Sequence, residues 1–112
     1  MSKLTVGGDE PRYVAINTAS ASTELVAAVT GKKIRVLGMY LTSDVVQVIA
    51  LKSATTEIAS FRITLTTSGS ISPIDLQVTP YGWCETARSE ALNLAQASTN
   101  NADGVLVYVV AD

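Results

Sequence analysis

From Arg12 onward the chain reads in twos. In RYVAINT, Tyr13, Ala15 and Asn17 fall on one face and Val14 and Ile16 on the other, the alternation of a half-buried strand. After the small-residue loop TASAS, TELVAAV runs into GKK, where Gly31 is free to take a positive φ and close a tight turn. In KIRVLGMYLT the apolar phase flips. Ile34 and Val36 alternate with Lys33 and Arg35, and then Leu37, Met39 and Leu41 carry the apolar set. A one-residue slip turns every later side chain to the opposite face. The pattern therefore predicts a β-bulge at Gly38 that keeps one apolar face inward.

Two segments are apolar on both faces, VVQVIALK and GVLVYVVA. Each reads as a central strand or as a strand facing a neighbouring subunit. FRITLTT predicts Phe61, Ile63 and Leu65 inward, and PIDLQV predicts Ile74, Leu76 and Val78 inward. TPYG is a turn, and ALNL brings Leu92 and Leu94 to one face. A helix over residues 85–97 competes there, with Thr86 and Ser89 as caps. The two-residue spacing of Leu92 and Leu94 around Asn93 argues for a strand instead. The pattern predicts eight or nine short strands separated by turns, an all-β, single-domain antiparallel β-sandwich over residues 12–112. Residues 1–11 are polar, carry Gly7, Gly8 and Pro11, and read as a flexible N-terminal arm. Within it Lys3, Leu4 and Val6 are the residues expected to order on a neighbour.

Composition sharpens this picture. The chain has 112 residues, enough for one core without staples. Only 16% of them are charged, below the usual quarter, and Ser and Thr cover much of the rest of the surface. A weakly charged surface favours association with other proteins. The net charge is −2 with no basic stripe, so no nucleic-acid partner is expected. No apolar run approaches the ~18 residues of a membrane span, and MSKLTVGGDEPRY lacks a signal-peptide core. Synthesis in the cytoplasm without membrane association is the expectation.

Chemistry is sparse. No histidine occurs, which removes the usual Ser-His-Asp and Cys-His systems, and one cysteine without histidine cannot close a zinc site. Phosphate-binding glycine motifs and calcium loops are missing. No cofactor, metal or catalytic residue is expected. The richest stretch is PYGWCETARSEALNL, with the chain's only tryptophan, Trp83, beside Cys84. Pro80, Tyr81, Gly82 and Trp83 read as a structural corner with Trp83 as its packing anchor, Cys84 as a small half-buried hydrophobe, and Glu85 and Glu90 as solvated or paired with Arg88. A glycan platform built on Trp83, Tyr81 and Glu85 is the competing reading.

The same stretch carries a resemblance. The order Pro80-Tyr81-Gly82-Trp83-Cys84-Glu85-Thr86-Ala87 followed by Glu90-Ala91-Leu92-Asn93-Leu94 is similar to small β-sandwich proteins of tailed bacteriophages. TELVAAVTGKKIRVLGMYL resembles their first hairpin, GVLVYVV resembles their last strand, and Cys84 stands where an aromatic is the commoner residue. The resemblance implies a jelly-roll-like virion protein: a head decoration (cement) protein bound to the major capsid protein, or a tail or fibre component, often a homotrimer. On that reading the two-faced strands supply the subunit and capsid contacts, through Val45, Val46, Val48, Ile49 and Leu51 in one and Val105, Val107, Tyr108 and Val109 in the other.

Overall fold

A computed structural model describes residues 10–112 of the chain. Lys3, Leu4 and Val6 lie outside the described residues. Nine strands follow in order: β1 (Arg12–Thr18), β2 (Ser22–Val26), β3 (Lys33–Ser43), β4 (Gln47–Ser53), β5 (Thr56–Ile63), β6 (Ile74–Leu76), β7 (Cys84–Glu85), β8 (Leu92–Gln96) and β9 (Ala102–Ala111). All described pairings are antiparallel. One sheet has the order β1-β9-β3-β6, with β7 pairing the start of β3, and the other has the order β2-β8-β4-β5. The two sheets pack face to face. Residues 85–97 hold the end of β7, a turn and β8, and no helix.

The core lies between the sheets. Ile16, Ile34, Val36, Met39, Leu41 and Leu106 enter it from the first sheet, and Ile49, Leu51, Ile63, Leu92 and Leu94 from the second. Each such side chain contributes about 1.5–3 kcal/mol by leaving water. The phase flip in β3 is a register shift against β9 between Val36 and Gly38. Leu37 is the extra residue. It does not join Met39 and Leu41 but packs with Val109 and Val107 in a separate cluster. Gly38 is required because an added Cβ would lie 2.9 Å from the Leu76 carbonyl oxygen.

Two other inward assignments end early. β5 stops at Ile63, so Leu65 is exposed and held only by an isolated bridge to Ile71. β6 stops at Leu76, and Val78 lies exposed on the surface beside Gly38.

Polar side chains buried at the sandwich ends are paired. Gln47 Nε2 donates to Gln96 Oε1 at 2.9 Å and to Ser43 Oγ at 2.8 Å, and Gln96 Nε2 donates to the Ser20 carbonyl at 3.0 Å. Thr86 is buried, and its Oγ1 accepts from Ile34 N–H at 2.9 Å. Among the described residues no buried side-chain nitrogen or oxygen lacks a partner, which is the condition for polar groups to sit inside without loss.

Candidate functional site

The stretch from Gln77 to Glu85 folds as a corner pressed onto β3. Its backbone is fastened at three points: Thr79 N–H donates to the Leu37 carbonyl at 3.1 Å, Trp83 N–H to the Val36 carbonyl at 2.7 Å, and Thr86 N–H to the Ile34 carbonyl at 2.9 Å. Gly82 turns the chain with φ +79°. No other residue fits there, since a Cβ would lie 2.7 Å from both Arg35 Cγ and the Val36 carbonyl oxygen. β7 then pairs with β3 so that Glu85 stands opposite Arg35 and Cys84 opposite Val36.

Trp83 is not a buried anchor. Its side chain remains on the surface, 47% exposed, and the indole N–H is tied to the Gln77 carbonyl at 2.8 Å. The apolar core is complete without it, because Cys84, the next residue, turns inward against the cluster instead. Tyr81 is 89% exposed, and Pro80 is exposed as well. Glu85 does not pair with Arg88. Its Oε2 accepts from Nε and Nη2 of Arg35 at 3.3 Å, and its Oε1 from Lys33 Nζ at 3.4 Å. Arg88 instead donates to the Gly31 carbonyl at 2.7 Å, and Glu90 accepts from the Ser53 hydroxyl. An open cleft of about 320 Å³ results, lined by Arg35, Tyr81, Gly82, Trp83, Cys84 and Glu85.

Cys84 is a free thiol, half-buried against the core. Burial, and then the neighbouring charge of Glu85, push its thiol up to about 11. The ordinary value is 9.0, so at neutral pH the thiolate is roughly a hundred-fold scarcer than in a free thiol. Alkylation by iodoacetamide at pH 7.5 is expected to run at least ~10-fold slower on the native chain than on the urea-unfolded chain. Mass spectrometry of quenched time points reads the two rates, and equal rates would show the thiol to be exposed and ionised. Among the described residues no group of His, Cys, Asp and Glu side chains is placed to hold a metal ion.

A second surface lies on the outer side of the first sheet. With Leu106 inward, the alternation turns Val105 and Val107 outward, and the register sets Val107 opposite Tyr13 and Val105 opposite both Ala15 and Tyr40. Tyr13, Tyr40, Val78 and Val105 are exposed there, and Leu37 and Val109 are buried beneath.

The residues expected to meet partners divide accordingly. Ile49, Leu51 and Val109 are corrections: all three are fully buried within the chain and offer nothing to a partner. β4 lies between β8 and β5, so Ile49 and Leu51 fill the inter-sheet core. Tyr108 also packs against that core. Val45 and Val46 precede β4 rather than belonging to it, with Val46 exposed and Val45 and Val48 half-buried. Val105 and Val107 are on the outer face. Sequence reasoning missed Tyr13 and Tyr40 as members of that face and Arg35 and Lys33 as partners of Glu85. The alternation already put Tyr13 opposite Val14 and Ile16, which was the available signal. No family model matches the chain, and neither a curated protein nor a solved structure was found that does.

Proposed function

We propose that the chain is a structural component of a tailed-bacteriophage virion, a decoration subunit that binds and stabilises the assembled head. The observation that carries this reading is the outer face of the first sheet. Tyr13, Tyr40, Val78, Val105 and Val107 form a mainly apolar surface, with Asp75 opposite Tyr40 at its β6 edge. Contiguous apolar surface of this kind marks a protein contact, and Tyr is enriched at such contacts. The low charge of the whole chain agrees.

The finer fold reading is a jelly roll. Its support is the strand order. Consecutive strands mostly cross between the β1-β9-β3-β6 and β2-β8-β4-β5 sheets, and β4–β5 is the only pair of consecutive strands that hydrogen-bond to each other among the described residues. That order supports a reading as two interlocked Greek keys, an architecture recurrent in capsid and lectin domains. The resemblance of Pro80–Leu94 to small phage β-sandwich proteins points the same way, and a fold by itself assigns no function. A subunit that binds the shell and not its dissociated parts shifts the equilibrium toward the shell by mass action. A homotrimer, if one forms on the head, closes by head-to-tail contacts around a three-fold axis.

The test is stoichiometry, by quantitative mass spectrometry of purified virions against the major shell protein. About one copy per shell subunit, or one trimer per three, is expected. A handful per particle would make the chain a tail or fibre part, and absence from particles would end the virion reading. Val105→Asp puts a charge on the outer face without touching the core. It is expected to lower head occupancy at least ~10-fold, equivalent to about 1.4 kcal/mol, with the unfolding temperature unchanged.

A further inference from the structure

The corner cleft has a use of its own. Two aromatic side chains two residues apart stand exposed at its rim, Tyr81 and Trp83. A tryptophan left half in water on a small domain forgoes the gain of burial unless something covers it. It is also held still. The indole N–H is bound to the Gln77 carbonyl and the backbone N–H to the Val36 carbonyl, so the ring is fixed before any ligand arrives. Beside it lie Arg35 and Glu85, cross-strand partners that both line the cleft. Arg35 engages Glu85 through Nε and Nη2. A guanidinium carries five N–H donors in a planar fork, so this one retains donors beyond the ion pair. Each oxygen of Glu85 keeps accepting capacity beyond its one cation.

We propose that this cleft binds a saccharide, one hexose or hexuronic acid ring with a second ring at its margin. A pyranose presents a face of C–H groups and a rim of hydroxyls. The C–H face lies on the fixed indole with Tyr81 alongside, and neighbouring hydroxyls bridge Arg35 and Glu85, one accepting and one donating. The volume, about 320 Å³, is at the small end of ligand sites. A protein partner is the other occupant that Trp, Tyr and Arg attract. It is disfavoured here because an apolar contact would strip the remaining water from the partly exposed Arg35–Glu85–Lys33 group without replacing its hydrogen bonds. Hydroxyls, which both donate and accept, replace that water bond for bond. The cleft lining itself is balanced, Arg35 against Glu85, but Lys33, which bonds Glu85 from outside the lining, brings the group to one positive charge in excess, so a uronic acid is expected to bind more tightly than its neutral counterpart.

Trp83 is the only tryptophan, so intrinsic fluorescence reads the site directly. The purified chain is titrated with methyl glucoside, methyl galactoside, N-acetylglucosamine, galacturonic acid and digalacturonic acid. A saturable change in Trp83 emission with at least one, tighter for the acids, is expected. Tyr81→Ala removes an exposed ring and leaves the fold alone, and Arg35→Lys keeps the charge and loses the fork. Each is expected to weaken binding at least ~10-fold at an unchanged unfolding temperature. Flat emission with every sugar overturns the proposal. So does a response that both variants leave undiminished, and so does a flat sugar series alongside a shift on adding purified shell protein. The sugar titrations use the chain without particles or shell protein, so their outcome is separate from that of the head-binding reading.

Discussion

Gly104→Ala is expected to be the most damaging single-methyl change in the chain, costing about 3 kcal/mol or more. Overpacking a core usually costs ~1–3 kcal/mol because side chains and backbone share the shift. Here no side chain can yield. An added Cβ at Gly104 would lie 1.9 Å from the Tyr40 carbonyl oxygen and 2.8 Å from its carbonyl carbon. Both atoms are backbone of β3, and β3 is hydrogen-bonded to β9 through this very region, with Gly104 opposite Leu41. On its other side Gly104 stands opposite Ile16 of β1. The methyl group must therefore part β3 from β9 or push β9 into β1. Against a total stability of ~5–15 kcal/mol for a domain of this kind, that loss is a large share. Urea unfolding followed by circular dichroism should show a midpoint lower by more than 1 M, taking m as about 1–3 kcal/mol/M. A midpoint equal to that of the parent would mean that the two strands have slack at this position.

Leu106→Ala is expected to cost about 2–5 kcal/mol, through lost burial and the cavity left behind. Leu106 is fully buried and sits at the middle of β9, opposite Val14 on one side and Met39 on the other. The informative comparison is its neighbour. Val105 faces outward, so Val105→Ala should cost less than ~1 kcal/mol, although the two positions are adjacent in sequence and lie in one strand between the same two neighbouring strands. Urea midpoints for the two variants, at equal m, measure the contrast. Equal losses would mean that the face assignment of β9 is wrong.

Much of the sandwich was legible in the sequence wherever one face is wet. RYVAINT and LNLAQ alternate because water touches one side only, and both form strands in the phase the alternation predicts. The flip at Gly38 was legible too, since a bulge is the one device that reconciles two phases in one strand, and the register shift falls there. What the pattern could not say was where a two-faced strand points. VVQVIALK and GVLVYVVA are apolar throughout, so the choice between core and partner rests on which strands flank them, and that is set by long-range pairing. Ile49, Leu51 and Val109 were read as contacts for this reason. The site was harder still. The Arg35–Glu85 pair joins residues 50 apart, and nothing local announces it. Trp83 looked like an anchor because large aromatics usually are. Only the neighbouring Cys84, turned inward in its place, leaves the indole outside.

The place of β9 between β1 and β3 has a consequence for how the chain is made. β9 comes last of the nine strands in sequence and is central in its sheet. Until it has emerged from the ribosome, β1 has no sheet partner among the described strands, and the longest strand, β3, pairs only with the short β6 and β7. The second sheet is less dependent, because β4 and β5 already form a hairpin. Folding therefore cannot proceed strand by strand during synthesis. The nascent chain carries one hydrogen-bonding edge of β3 unpaired until β9 arrives, and contacts spanning most of the described strands then form together, which is the slow kind of β-assembly. An unpaired strand edge of that kind makes the growing chain, too, a species prone to association.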